Sequence, residues 1–205
     1  MADKEEIMKK LEELNSEILN CKKCPLHKGR TNAVPGEGNP FSGVMFIGEA
    51  PGRQEDIEGR PFVGAAGKLL EKILREKLGV DRSEVYITNV IKCRPPNNRD
   101  PLQSEIEACS PYLEKQITLM SPKVIITLGN HSTKYILKKF GFTPKGITKL
   151  HGQVLKVDII FQQIYIYPTF HPAAVLYNRQ MEYLFVNDMI ELKKLLDKLG
   201  LPIKS

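Results

Sequence analysis

Apolar positions change their period along the chain in a regular way. Over residues 4–19 they fall at Ile7, Met8, Leu11, Leu14, Ile18 and Leu19, the spacing of one buried helical face. Four later stretches are instead short and continuous. These are residues 44–47, 84–91 (EVYITNVI), 124–128 (VIITL) and 164–167, and each predicts a strand. VIITL has the character of a strand buried on both faces. Amphipathic runs lie between and after them, over residues 68–78, from Asp100-Pro101 through Cys109, from Gly129-Asn130 through Phe140, and over residues 180–199. Asp100-Pro101 predicts a helix N-cap and first turn, and Pro111 should kink or divide that helix. Residues 153–161 predict a small hairpin or edge ribbon. Strands alternating with helices argue for a parallel sheet covered on both faces.

The longest interruption of the pattern is residues 48–67, GEAPGRQEDIEGRPFVGAAG, between a strand and a helix. Its glycines and prolines allow backbone to approach a ligand closely. No Gly-Lys-Ser/Thr follows, and the glycine triplet of dinucleotide binders is absent, so neither phosphate motif applies. Two more loops follow strands, over residues 89–100 and 168–178. In a parallel sheet all three converge on one edge, which predicts a single pocket.

At 205 residues the chain is expected to form one domain over residues 1–205. No apolar run approaches the length of a membrane span, and the acidic, polar N-terminus is unlike a signal peptide. A soluble, cytoplasmic, monomeric protein is the expectation. The net charge of +6 permits a polyanionic partner without requiring one.

Cys21 and Cys24 form a Cys-x-x-Cys followed by proline, and Cys93 and Cys109 complete the set. Four thiols with none left over fit one four-thiolate metal site better than structural thiols. The wide spacing of the second pair suits an iron–sulfur cage, whose ligands come from separate elements, and leaves zinc open. Such a metal is most simply structural, since nothing in the sequence supports a redox role.

Gly48-Glu49-Ala50-Pro51-Gly52, Gly59-Arg60-Pro61-Phe62-Val63-Gly64, the segment Thr88-Asn89-Val90-Ile91-Lys92-Cys93-Arg94-Pro95-Pro96, and His171-Pro172-Ala173-Ala174 together closely resemble the family 4 uracil-DNA glycosylases. The resemblance runs from Cys21 to about Asn178. It implies an α/β fold of three layers, α/β/α, around a central four-stranded parallel sheet, and the hydrolysis of uracil from single- or double-stranded DNA. It also implies a structural [4Fe–4S] cluster on Cys21, Cys24, Cys93 and Cys109. By resemblance Phe62 stacks on the extruded base, Asn89 reads it, and His171 donates to uracil O2. Glu49 is expected to hold the attacking water or stabilise the sugar cation, with backbone N–H groups around Glu49 and Ala50 assisting. Ala50 and Gly52 stand where the best-known branch of the superfamily has an aspartate and an aromatic. The aromatic that would block the thymine methyl is thus missing, and Glu55 is the candidate replacement.

Val175 or Leu176 is expected to wedge into the gap left by the flipped base. Arg94, Arg179 and the rest of the basic 92–99 loop are candidate phosphate contacts. The short 95–100 segment has no histidine, which favours turnover over covalent trapping of DNA. A non-catalytic or DNA-crosslinking uracil-DNA-binding iron–sulfur protein and an iron–sulfur electron carrier are the alternatives. Contact with a sliding clamp or another repair protein is a further expectation. Glu55 and Asp56 also read as a solvated acidic pair, and His27, His131 and His151 as surface or capping residues.

Overall fold

A computed structural model describes residues 3–159 and 162–202. The chain begins with α1 (Lys4–Leu19), whose Leu11, Leu14 and Ile18 are buried as the periodicity requires. After two residues of edge strand, β1 (Glu37–Gly38), comes β2 (Val44–Gly48), and then two helices, α2 (Arg53–Glu58) and α3 (Ala65–Ile73). The remainder runs β3 (Tyr86–Asn89), α4 (Gln103–Met120), β4 (Val124–Leu128), α5 (Asn130–Lys139), α6 (Ile147–Leu150), β5 (Leu155–Ile159), β6 (Gln162–Thr169), α7 (Pro172–Val175) and α8 (Arg179–Leu199).

The four expected strands pair in parallel in the order β3-β2-β4-β6. Two antiparallel edge strands, β1 on β3 and β5 on β6, extend the sheet to six among the described residues. Successive residues of a strand point to opposite faces. Phe46 and Ile126 therefore join the core under α3, α7 and α8, while Met45, Ile47 and Ile125 join that under α1, α4 and α5. The result is the α/β/α layering expected. Gly48 pairs with Asn89, and Leu128 with Thr169, so the parallel strands end together at one rim.

Two local expectations fail. The helix after the second strand begins at Gln103, with Leu102 as its N-cap residue, rather than at Asp100. Its N-terminus is fixed by Glu105, whose carboxylate accepts from the Leu102 N–H at 2.8 Å and pairs with Arg99 at 2.7 Å. Nor does Pro111 divide α4, which is one helix of 18 residues. Proline frees the carbonyl four residues earlier, and both Glu107 and Pro111 lie on the exposed face, where a freed carbonyl costs little. Residues 160–161 of the expected ribbon lie outside the described residues; the ribbon itself is β5 against β6.

Candidate functional site

The rim carries a cleft of about 330 Å³, and Glu49, Ala50, Glu55, Phe62, Asn89 and His171 all line it. The parallel register supplies the first juxtaposition. Asn89 ends β3 beside Gly48, and a Cβ at Gly48 would lie 2.4 Å from Asn89 Oδ1 and 2.5 Å from Phe62 Cζ. Glycine is what lets the carboxamide and the ring share the floor of the cleft. Asn89 is 2% exposed, and its Oδ1 is buried without a hydrogen-bond partner. A buried acceptor left unpaired costs about 1–3 kcal/mol, and in a cleft wall such an atom can accept from a ligand donor.

Phe62 sits in a left-handed conformation, φ 49°. Such backbone in a bulky residue must be held by its surroundings. Two groups hold it. Arg82 donates to the Phe62 carbonyl at 2.7 Å, and Glu55 Oε1 accepts from the Val63 and Gly64 N–H groups at 3.0 and 2.9 Å. The Phe62 ring lies 5.6 Å from that of His171, tilted by 30°.

His171 follows β6. Its Nδ1 accepts from the Ala173 N–H at 3.0 Å, so the proton of the neutral ring sits on Nε2. Burial pushes its pKa down to about 4, which keeps the imidazole neutral near pH 7. Glu49 is partly buried, and burial raises its pKa, the charge of His131 opposing and that of Asp100 adding to the rise.

The four cysteines, all free thiols, line a second, smaller cavity between α1, the 92–99 loop and α4. Arg30 Nη1 donates to Cys93 Sγ at 3.1 Å, the Lys92 N–H to Cys109 Sγ at 3.2 Å, and the Lys23 N–H to Cys21 Sγ at 3.5 Å. Donors aimed at sulfur suit thiolates. Burial by itself pushes Cys24 and Cys93 up and Cys109 to about 12, so a bound cation is needed to keep the set ionised. Among the described residues, the three His, Cys, Asp or Glu side chains whose polar atoms lie within 4.8 Å of one another are Glu49, Asp100 and His131, not the cysteines. Thiolates around one zinc lie about 3.8 Å apart, given Zn–S bonds of about 2.3 Å. No three of the cysteine sulfurs are packed within 4.8 Å, and ligands drawn from separate elements suit the larger cage of a cluster.

Several sequence expectations need correction. Val175 is 2% exposed and belongs to the core beneath α8, so it is not available as a wedge. An apolar residue in α7 packs inward because that short helix lies on α3 and α8. Leu176 is partly exposed and Tyr177, which sequence reasoning passed over, is 94% exposed. Lys92 is 1% exposed and cannot reach phosphate. Its ammonium instead donates to Thr88 Oγ1, Asn89 O and Gln116 Oε1 at 2.6, 2.9 and 2.7 Å, and burial draws its pKa down to about 7. Arg94 is partly exposed, its Nε donating to Asn98 Oδ1, and Arg179 is exposed at the start of α8. Asp56 is buried and accepts from the Thr31 and Asn32 N–H groups. Glu55 is the loop anchor described above, so the two do not form a solvated pair. His151 is the C-cap residue of α6, one of the two roles expected, and its ring also binds Asp188 at 2.9 Å and lies 4.5 Å from that of Phe170.

A cleft at the carboxyl rim of a parallel sheet, floored by a ring and an unpaired carboxamide oxygen, is a site in an α/β protein suited to a planar hydrogen-bonding ligand. Residues 35–196 match the model of the Uracil DNA glycosylase superfamily. The chain is 53% identical over 188 residues to the type-4 uracil-DNA glycosylase of Sulfurisphaera tokodaii, covering 92% of this chain and 86% of that protein. It is 51% identical over 189 residues to that of Saccharolobus solfataricus, covering 92% and 88%. For the Thermotoga maritima protein of the same description the figure is 42% over 204 residues, covering 98% and 100%. The chain belongs to the type-4 uracil-DNA glycosylases of this superfamily. Among the described residues no helix is long and apolar enough to cross a membrane.

Proposed function

We propose that this protein removes uracil from DNA by hydrolysing the N-glycosidic bond, leaving free uracil and an abasic site. The observation that carries the reading is the unpaired, buried Oδ1 of Asn89 on the cleft floor. A base inside a duplex is out of reach, so the nucleotide is extruded into the cleft. Stacking on Phe62 contributes about 1–3 kcal/mol toward that cost. Asn89 Oδ1 accepts from uracil N3–H and Nδ2 donates to O4. Cytosine reverses donor and acceptor at those two atoms and leaves both groups unpaired.

As the glycosidic bond breaks, its electron pair goes to the base, giving a uracil anion and an oxocarbenium ion at C1′. The neutral His171 donates from Nε2 to O2, where negative charge develops. Glu49 faces the sugar, stabilises the cation and accepts a proton from the water whose oxygen bonds to C1′. That proton ends on the uracil anion. Glu55 serves by holding the Phe62 turn. Cys21, Cys24, Cys93 and Cys109 would hold a [4Fe–4S] cluster, which supplies structural cross-linking of α1, α4 and the 92–99 loop. Arg94, Leu176 and Arg179 remain the candidates for DNA contact.

The test is incubation with single-stranded and duplex oligonucleotides containing one uracil, followed by alkali. Strand scission at the uracil, absent from cytosine and thymine controls, is expected. No scission by protein with its full iron content would overturn the reading.

A further inference from the structure

Three loops meet at Glu49, and one of them brings a histidine. The strand β4 ends at Leu128, Gly129 turns with φ 92°, and α5 starts at Asn130. That places His131 in the first turn of α5, at the same rim as Glu49 and Asn89. His131 Nε2 lies 3.7 Å from Glu49 Oε2 and 3.4 Å from Asp100 Oδ2. The side chains of Glu49, His131 and Asp100 are 25%, 49% and 74% exposed, so the imidazole bridges a half-enclosed carboxylate and a solvated one. Asp100 is free to do this because Glu105, rather than Asp100, caps α4.

The charges facing Glu49 come from every side of the cleft. Glu55 reaches in from α2 but is engaged by two backbone N–H groups. Arg99 lies in the same wall and is committed to Glu105 through two hydrogen bonds. His171, beyond β6, is kept neutral by burial. Tyr135 of α5 borders a small cavity behind Glu49. Among the described residues His131 is therefore the group placed to share its Nε2 with Glu49, and Asp100 competes for it.

We propose that His131 is a positioning residue: lodged between Glu49 and Asp100, it governs the charge of the Glu49 carboxylate and aims it at the sugar side of the cleft. The catalytic part of this inference rests on the glycosylase reading; the electrostatic part does not. Burial and Asp100 both favour protonated Glu49, and His131 opposes them. Removing His131 thus raises the pH at which Glu49 ionises, and removing the Asp100 charge lowers it.

Protein labelled with ¹³C at glutamate Cδ, titrated in EDTA to exclude stray cations, reads this directly, with Glu49→Gln assigning the resonance. His131→Gln, which keeps a donor but no charge, is expected to move the Glu49 midpoint up by about half a unit or more. Asp100→Asn should move it down. The acid limb of kcat/KM for uracil release should follow in the same two directions. Midpoints unchanged in both variants overturn the inference. A wild-type protein that releases no uracil sinks the functional reading instead, while the titration still decides whether His131 controls Glu49.

Discussion

Asn89 and Phe62 approach each other across a position that has room for a hydrogen atom and nothing larger. A methyl at Gly48 would stand 2.4 Å from the carboxamide oxygen and 2.5 Å from the ring edge. The β2–β3 register puts Gly48 directly beside Asn89, so the strand cannot shift to make space without losing a core pairing.

Gly48→Ala should therefore fold and bind no base. Overpacking costs about 1–3 kcal/mol and falls on the two groups that meet uracil. Misplacement by about an ångström lowers the rate on the order of 100-fold. Steady-state uracil release beside a thermal melt checks both halves: a large loss of kcat/KM with a folded protein whose Tm falls by about 2–12 °C.

Asn89→Ala removes both hydrogen bonds to the base edge and should lower kcat/KM about 100-fold or more, since each unpaired polar group costs about 1–3 kcal/mol. Residual activity should lose its preference for uracil over cytosine. Competition between the two oligonucleotides measures this, and retained preference would show that another group reads the base.

Glu55→Ala frees the turn that holds Phe62 at φ 49°, a conformation costing about 1–3 kcal/mol. The ring should then leave its place beside His171. Weaker binding of the flipped base, seen as a raised KM of about tenfold, is expected, whereas Glu55→Gln, which keeps an acceptor, should lose less.

His171 links pH to stability with a definite sign. Its folded pKa is near 4, below the ordinary 6.5. Above pH 6.5 the ring is neutral folded or unfolded and contributes no slope. Between 6.5 and 4 the unfolded chain binds the proton and the folded one does not, so stability falls as pH falls; below 4 the loss is complete. Urea midpoints from pH 7 to 4.5 should fall more steeply for wild type than for His171→Gln.

Iron and acid-labile sulfide should each reach four per chain in protein purified without oxygen, and Cys109→Ser should lower both together with Tm. One zinc per chain and no sulfide would replace the cluster by a mononuclear site.

The sheet was legible because its strands carry continuous apolar runs between amphipathic helices, and the loops after them follow from parallel topology. Phe62, Asn89 and His171 lie in those loops, so their meeting needed only that the strands end together. The edge strand β1 was not legible, since two residues carry no period. Val175 misled because an apolar residue beside a functional loop looks the same whether it faces DNA or the core, and only the packing of α7 against α8 decides. His131 read only as a surface or capping residue because it stands in no motif. Its meaning comes from Asp100 and Glu49, which reach it from two other loops.

Lys92 gives the thiol cavity a hold on the base reader. Its backbone N–H bonds Cys109 sulfur while its ammonium grips the Asn89 carbonyl, and Cys93 is the next residue along the chain. The same short stretch of backbone thus serves the thiol cavity and the carboxamide proposed to read the base. A disturbance at the Cys109 sulfur is therefore passed through one lysine to the backbone of Asn89.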